Sequence, residues 1–372
     1  MNSPGADVRV LVVNAGSSSL KLRMLDAHDT VEQSADLPAG TDGFDTSRLG
    51  EILRAWGKPD VVGHRIVHGG IIFTGPVLID DAVLRQLRDL TDLAPLHQPK
   101  SLAALHAVTA ELPAVRAVAS FDTAFHTTIP AAAATYAVPR EWRQRYAIRR
   151  YGFHGLSHAY CSRRAAQLLG RPAADLRIIS CHLGAGASVA AVLGGRSVDT
   201  TMGFTPLEGL VMATRSGTVD PGLVLWLEEH EHLSPHEVTT ALEQRSGLTA
   251  LAGTGDMREV EAAVDRGDRD ARLALDVYTH RLAGGIAAMS AATGGIDVLA
   301  FTGGVGEHSA VVRRRAAQRL DFLGVSIDPQ RNDSAAGDQD ISAAGSAART
   351  LVITAREDLQ IAREARHLLA VS

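Results

Sequence analysis

The chain has 372 residues, of which 45% are hydrophobic and 4% aromatic, and its formal net charge is −5. This length exceeds one compact core and predicts two domains, while the lack of a basic patch and the few aromatic side chains argue against nucleic-acid binding. The two cysteines are too few for a disulfide framework, and we find neither a basic-apolar leader nor an apolar run of about 20 residues. We therefore expect a cytoplasmic protein without a membrane segment.

The first predicted element is a hairpin whose turn is rich in glycine and serine. Alternating strands at 8–13 and 21–25 flank the turn, which begins at Asn14, and Lys21 opens the second strand. Such a turn gathers backbone N–H groups and hydroxyls at one point, with a lysine close behind, and predicts an anion site, most simply for phosphate. A tight hairpin without a ligand is the commoner use of a single turn of this kind.

The pattern of strand followed by glycine turn occurs twice more. Residues 176–190 predict a second hairpin around Gly184-Ala-Gly186, and the apolar strand 296–301 leads into a third glycine turn at 302–308. Three such turns predict a nucleoside triphosphate held between two similar lobes. The sequence lacks a P-loop motif, and Gly184-Ala-Gly186 is followed neither by a third glycine nor by a helix, which argues against a Rossmann dinucleotide site.

Alternating helices and strands are predicted between these turns. The helices cover 81–90, 102–110, 156–169, 219–229, 235–245, 270–293, 310–322 and 358–369, and further strands cover 61–67, 115–121 and 351–354. Segments 130–150, 197–217 and 331–348 are predicted as a connection between lobes, a long loop and a surface loop. The repeated hairpin indicates an internal duplication, with a lobe boundary near 125–150.

Several polar side chains lie at predicted strand ends and in loops, where catalytic groups are often found. Arg65 lies within an apolar strand and needs an anion, either a substrate carboxylate or phosphate, or a buried acidic residue of the chain itself. Asp122 directly follows a strand and can hold Mg²⁺, accept a proton or cap a helix. His154 can hydrogen-bond a phosphoryl group or serve as a core or capping residue, and Arg215 can act as an arginine finger. This set suits phosphoryl transfer, which depends on charge neutralisation.

At these positions the sequence resembles the acetate/propionate kinase family. The matching motifs occur in family order at 13–21, 63–70, 121–126, 150–155, 181–184, 202–209, 214–217, 256–258 and 301–307. The resemblance implies an α/β fold of the sugar kinase/heat-shock/actin superfamily, with two ribonuclease-H-like lobes of duplicated topology and a nucleotide cleft between them. We expect residues 1–126 and 360–372 to form the N-terminal lobe and 127–359 the nucleotide-binding lobe.

The resemblance also implies a reaction and a set of site residues. The reaction is reversible, Mg²⁺-dependent in-line transfer of phosphate between ATP and acetate, giving acetyl phosphate and ADP, in a homodimer, with Mn²⁺ as an alternative metal. Asn14 and Glu357 would hold the metal and Lys21 would lie near the phosphates. Arg65 would bind the acetate carboxylate, Asp122 would act as acid/base or organise the metal, and His154 and Arg215 would stabilise the transition state.

Two larger groups of residues follow from the same motif match. The predicted nucleotide site comprises His182, Leu183, Gly184, Ala185, Gly186, Asp256, Met257, Arg258, Gly304, Val305, Gly306, Glu307 and His308. The predicted methyl pocket comprises Val67, Leu96, Phe153 and Pro206. Ala185 and His308 both stand where the family usually has asparagine.

Two alternative functions remain open from the sequence. A propionate or butyrate kinase would share every catalytic motif, because one methylene changes binding by only ~1–3 kcal/mol. An actin- or chaperone-like ATPase would use nucleotide to drive binding instead of transfer.

Overall fold

The computed structural model describes residues 8–16, 19–40, 43–94 and 98–371. The described residues within 1–127, 155–160 and 356–372 form one compact unit, and those of 128–154 and 161–355 form the other. None of the helices within the described ranges combines the length and the apolar composition that a membrane span requires.

The strands within the described ranges divide between two sheets. Those of the first unit are β1 Val10–Ala15, β2 Ser19–Leu25, β3 Val31–Gly40, β4 Gly43–Phe44, β5 Val61–Ile66, β6 Val77–Leu78 and β7 Arg116–Phe121. Those of the second unit are β8 Arg177–Leu183, β9 Ala187–Leu193, β10 Arg196–Thr200, β11 Val298–Thr302, β12 Gln339–Asp340 and β13 Arg349–Val352.

The α-helices in the same ranges connect and cover these strands. The first eight are α1 Thr46–Trp56, α2 Asp81–Asp89, α3 Gln98–Glu111, α4 Ala131–Ala134, α5 Arg140–Tyr146, α6 Gly155–Leu168, α7 Pro221–His230 and α8 Pro235–Gln244. The others are α9 Gly247–Ala252, α10 Met257–Asp265, α11 Arg269–Thr293, α12 Gly303–His308, α13 Ala310–Gln318, α14 Pro329–Asp333 and α15 Glu357–Val371.

Both units contain the same five-stranded core. In the first sheet the order β3-β2-β1-β5-β7 joins two antiparallel pairs to two parallel pairs. In the second sheet the order β10-β9-β8-β11-β13 repeats the same sequence of directions. Short antiparallel strands extend the edges of both sheets. The predicted mixed α/β fold with duplicated topology is therefore confirmed.

Some predicted elements differ from the structure. The predicted loop 197–217 contains most of β10, and the predicted surface loop 331–348 contains part of α14 and all of β12. The predicted third glycine turn was wrong, because Gly303–His308 is a short helix. Its conformation depends on distant partners: the Glu307 side chain accepts hydrogen bonds from the N–H of Gly303 and of Ala355.

Helices cover both faces of the first sheet. Alternate side chains of β1 point to opposite faces, so Leu11 and Val13 pack toward α1 and α3, whereas Val10 and Val12 pack toward α15. Helix α15 lies very close to β5, since a Cβ added at Gly63 would lie 2.5 Å from Ile361. This close approach fixes the start of α15, and with it Glu357, beside the sheet.

The neighbouring residue His64 is buried in the same strand, and its Nε2 has no hydrogen-bond partner in the described structure. Burial lowers the pKa of His64 to about 3 and that of His68 to about 4. Both side chains are therefore neutral in the folded protein at pH values where the unfolded chain binds protons. Because the unfolded state then binds more protons, the free energy of unfolding should fall as pH drops below about 6.5, by up to about 1.4 kcal/mol per pH unit for each histidine.

We expect His64→Leu to flatten this acid dependence of stability between pH 6.5 and pH 4. Urea unfolding at half-unit pH steps measures the slope. The matched control is His28→Leu, because His28 is exposed and its replacement should leave the slope unchanged. Equal slopes for the wild type and His64→Leu would show that His64 is not kept neutral by burial.

Candidate active site

The parallel strands of the first unit bring three predicted residues to one edge of the sheet. Asn14 lies near the end of β1, Arg65 near the end of β5, and Asp122 directly after β7. The backbone N–H of Asp122 donates to the carbonyl of Ile66 at 3.0 Å. Because β1, β5 and β7 run parallel, their carboxyl ends meet at this edge. Lys21 is the register partner of Asn14 in β2 and is exposed.

A continuous hydrogen-bond chain links these residues to Glu357. Arg65 donates to Asp122 through Nε at 3.1 Å and through Nη2 at 2.6 Å. Its Nη1 donates to Asn14 Oδ1 at 3.1 Å, and Asn14 Nδ2 donates to Glu357 Oε2 at 2.9 Å. We call these four residues the acid-site cluster. The pairing of Arg65 with an acidic residue of the chain, one of the two alternatives left open by the sequence, is thus present.

Burial disfavours the charged forms of the side chains in this cluster. The side chains of Arg65 and Asp122 are 15% and 1% exposed. Burial is the largest influence on Asp122 and raises its pKa, with a further rise from Glu357 and opposition from Arg65. For Arg65, burial alone would lower the pKa, but the charges of Asp122 and Glu357 outweigh it and raise the pKa. Each charge of the pair is therefore stable here only because of the other.

The oxygen atoms of this cluster suit a hard cation only in part. Within the described ranges, no group of three or more His, Cys, Asp or Glu side chains is arranged to hold a metal ion. Asn14 Oδ1 already accepts a hydrogen bond from Arg65, but the same hydrogen-bond chain contains two carboxylates, those of Glu357 and Asp122. Magnesium commonly binds one or two carboxylates together with substrate phosphates and water. The donor set therefore fits a magnesium ion that arrives with a nucleotide.

In the second unit, His154 lies against the glycine turn of the β8–β9 hairpin. It has a left-handed backbone (φ 57°) at the N-cap of α6, and its Nδ1 lies 3.0 Å from Ser188 Oγ. Its ring centroid is 4.3 Å from that of His182. A Cβ added at Gly186 would lie 3.2 Å from His154 Nε2, so only glycine leaves full room for the ring.

Arg215 lies next to the same turn. Its Nη1 is 3.6 Å from the position of a Cβ at Gly186 and donates to the carbonyl of Pro206 at 2.9 Å. Burial lowers the pKa of Arg215, with partial compensation from Glu243. A half-buried guanidinium and an imidazole therefore face the same glycine, which is an arrangement that can donate hydrogen bonds to a phosphoryl group.

A cavity of about 510 Å³ in the second unit collects most of the predicted nucleotide residues. Its lining includes Gly184, Ala185, Asp256, Met257, Arg258, Gly304, Val305 and His308. Asp256 caps α10 and pairs with Arg258 at 2.5 Å, and the Arg258 hydrogen bond lowers the pKa of Asp256 to about 2. Three of the lining positions are glycines, which place no side chain in the cavity.

Other predicted nucleotide residues do not line this cavity. Leu183 and Gly306 are buried, and the His182 ring lies against that of His154 in a tilted arrangement, with 35° between the ring planes. The Glu307 carboxylate caps α12, as described above.

The predicted methyl-pocket residues belong to different units. Val67 is buried in the first unit, whereas Phe153 is buried and Pro206 half-buried in the second. Leu96 lies outside the described residues.

Sequence reasoning missed four residues near these sites. Gly255, Glu261 and Ser309 line the cavity, and the Ser309 hydroxyl donates to Glu261 while capping α13. Ser188 holds His154. The second hairpin motif contains Ser188 as a turn-flanking serine, but its partner lies 34 residues away, and nothing local predicts that contact.

Comparison of structures first defines the class of the protein. The fold matches an acetate kinase from Porphyromonas gingivalis, with a TM-score of 0.89 and 35% identity over 97% of this chain and 100% of that chain. It matches a propionate kinase from Francisella tularensis equally well, with the same TM-score and identity over 97% and 99% of the two chains. The chain therefore has the fold of this class of phosphotransferases.

Sequence comparison then identifies the family. Residues 50–363 match the model of the acetokinase family. The chain is 45% identical to acetate kinases from Gloeobacter violaceus, over 96% of this chain and 98% of that protein, and from Clavibacter sepedonicus, over 95% and 98%. The chain belongs to the acetokinase family, which decides against an actin- or chaperone-like ATPase.

Proposed function

We propose that the protein is an acetate kinase, which transfers the γ-phosphoryl group reversibly between ATP and acetate to give ADP and acetyl phosphate. The observation that carries this proposal is the 45% identity to an acetate kinase over 96% of the chain. The glycine turn at Gly186, which His154 and Arg215 face, and the acid-site cluster supply chemistry of the required kind.

The acid-site cluster would bind the carboxylate of the acid. A guanidinium has five N–H donors, and the contacts of Arg65 with Asp122 and Asn14 use one each on Nε, Nη1 and Nη2. One N–H remains on each terminal nitrogen, and these two donors would bind the substrate carboxylate. Asp122 thus orients Arg65 without exhausting its donors, and Arg65 orients the acid.

The transfer itself would be a direct in-line displacement. A carboxylate oxygen forms a bond to the γ-phosphorus while the bond between that phosphorus and the β,γ-bridging oxygen breaks, and ADP leaves with the electron pair. His154 and Arg215 would donate hydrogen bonds to the equatorial phosphoryl oxygens as negative charge redistributes. Ser188 keeps the His154 ring in place through Nδ1.

The remaining roles concern the nucleotide and its metal. The cavity lined by Gly304, Asp256 and Arg258 would hold the nucleoside, with Lys21 near the phosphates. Glu357, oriented by Asn14, would hold Mg²⁺ (or Mn²⁺) together with phosphate oxygens. When bound, the cation neutralises phosphate charge and favours departure of ADP.

A propionate kinase is the second candidate. The observation that favours it is the match to the Francisella tularensis propionate kinase, which equals the match to the Porphyromonas gingivalis acetate kinase in TM-score and identity. We propose acetate as the substrate because the Gloeobacter violaceus and Clavibacter sepedonicus proteins, at 45% identity over nearly their whole length, are acetate kinases.

The test is formation of acyl phosphate from MgATP with acetate, propionate and butyrate in parallel, trapped as the hydroxamate. The highest kcat/KM on acetate is the expected result. Preference for a longer acid would retain the mechanism and change the substrate. Failure to form any acyl phosphate would overturn the proposed function.

We expect Gly304→Val to weaken ATP binding by about tenfold or more without loss of stability. A Cβ at Gly304 would meet no atom within 4 Å, so the added side chain enters the cavity and competes with the nucleotide. Isothermal titration with a non-hydrolysable ATP analogue measures the affinity. Gly284→Val is the matched control, because Gly284 is also helical and open but lies in α11, outside the cavity lining. Equal affinities for the two variants would place the nucleotide elsewhere.

Three further features stay predictions. The homodimer is implied by the family resemblance, the cytoplasmic location was inferred from the sequence, and the domain boundaries at 126/127 and 359/360 divide the proposed acid-binding and nucleotide-binding functions.

A further inference from the structure

The loop of residues 201–209 in the second unit wraps around one guanidinium. Arg150 Nη1 donates to three successive carbonyls, those of Thr200 at 3.1 Å, Thr201 at 3.2 Å and Met202 at 3.0 Å. Its Nη2 donates to Glu208 Oε1 at 2.8 Å, near the other end of the loop. One side chain therefore ties both ends of the loop together.

Tyr136 ties the middle of the loop to the same cluster. Its hydroxyl donates to Glu208 Oε2 and accepts from the N–H of Phe204 at 3.0 Å. The Arg150 guanidinium also lies over the Tyr136 ring, 5.6 Å from its centroid. Burial, with a contribution from Glu208, raises the pKa of Tyr136, so the hydroxyl remains a donor.

The loop passes so close to this cluster that a side chain cannot be placed at Gly203. A Cβ there would lie 1.7 Å from the Glu208 carboxylate and 2.1 Å from the Tyr136 hydroxyl. The Gly203 carbonyl accepts from the N–H of Tyr151 at 3.0 Å and of Gly152 at 3.2 Å. The loop is thereby fastened to the segment that leads directly into Phe153 and His154.

The loop also contacts Arg215, which together with His154 is proposed to stabilise the transition state. The carbonyl of Pro206 accepts from Arg215 Nη1 at 2.9 Å. Gly209 at the end of the loop exchanges two hydrogen bonds with Thr218, three residues beyond Arg215. Displacement of the loop would therefore move the backbone that sets the direction of the Arg215 side chain.

We propose that Tyr136, Arg150 and Glu208 are positioning residues for phosphoryl transfer, which lock loop 201–209 so that Pro206 and Arg215 hold their places. None of the three needs to contact the reacting atoms. The inference rests on the proposed function, because it assigns the loop a task in the same reaction. A displacement of about 1 Å in a group that stabilises the transition state can cost about 10²-fold in rate.

The test compares Tyr136→Phe and Glu208→Gln with a matched control. Tyr136→Phe removes one hydroxyl, and Glu208→Gln removes one charge while keeping the size of the side chain. The control is Asp297→Asn, which weakens the Arg177–Asp297 pair (2.7 Å) of the same unit. This pair lies at the amino ends of β8 and β11, whereas His182 lies near the carboxyl end of β8. The readouts are kcat, KM for each substrate, the melting temperature and amide hydrogen exchange of a peptide that covers residues 201–209.

We expect both cluster variants to lower kcat by about 10- to 10²-fold, to leave KM for ATP within about twofold, and to speed amide exchange in the loop. Asp297→Asn should change none of these, whatever its effect on melting temperature. If the wild type forms acyl phosphate and both cluster variants keep its kcat and its loop exchange, as Asp297→Asn should, the positioning role is wrong and the proposed function stands. If the wild type forms no acyl phosphate, the proposed function fails and this inference fails with it.

Discussion

Replacing Arg65 with alanine is expected to lower the free energy of unfolding by about 3–5 kcal/mol and to abolish measurable acyl phosphate formation. The loss of stability arises because Asp122, with 1% of its side chain exposed, loses its bidentate partner and must then either hold an uncompensated buried charge or take up a proton. The loss of activity arises because the proposed carboxylate fork disappears with the guanidinium.

The pH dependence of the stability lost in Arg65→Ala distinguishes the loss of an ion pair from the loss of side-chain packing. Without Arg65, burial alone raises the pKa of Asp122, so the folded variant binds a proton that the unfolded chain has released. The unfolding free energy of the variant, relative to the wild type, should therefore fall further as pH rises from about 4 toward neutrality. Urea unfolding of both proteins at pH 5 and pH 8 measures this difference, in which the histidine contributions cancel.

Two further variants serve as controls for Arg65→Ala. Arg177→Ala removes a half-exposed arginine from a similar carboxylate pair, and we expect a cost below about 1 kcal/mol. Adding Asp122→Asn to Arg65→Ala should restore part of the stability and none of the activity, since the unpaired charge is removed but the fork is not rebuilt. A cost for Arg65→Ala no larger than that for Arg177→Ala would contradict the assigned role of the pair in stability.

Replacing His154 with alanine is expected to lower kcat by about 10²–10³-fold with little change in KM for ATP. The imidazole lies against the glycine turn at Gly186, and the nucleotide cavity is lined by other residues, so its loss should affect the transition state more than nucleotide binding. Steady-state kinetics of acetyl phosphate formation with saturating acetate measure the effect.

The matched control for His154→Ala is His230→Ala, which removes a histidine that stacks on the exposed Trp226 in α7. We expect wild-type turnover from this control. Near-normal turnover of His154→Ala would remove His154 from the mechanism. His154→Asn should recover part of the rate, because an amide retains a hydrogen-bond donor.

Local sequence patterns were sufficient for most of the fold. The period-two alternation of β1 and β2 around a small polar turn predicts a hairpin, and its repetition at β8 and β9 predicts the duplication. Both signals are local, since turn chemistry and alternation act over a few residues. Segment 303–308 shows the limit of this reasoning. Its glycines favour a turn, but Glu307 caps the first N–H and buried Arg313 binds the carbonyls of Gly306 and Glu307, which stabilises a helix.

The sequence by itself determined which side chains are proposed for the chemistry, because Arg65, Asp122, His154 and Arg215 each follow from residue type within a local pattern. Tertiary structure alone decided their partners. Arg65 meets Asp122 across 57 positions, and Asn14 meets Glu357 across 343. Such contacts depend on how parallel strands and a returning helix are placed, and the free energy of that placement comes from the buried core, not from the residues that meet. The sequence therefore predicts that Arg65 requires an anion, and the fold supplies Asp122 as one.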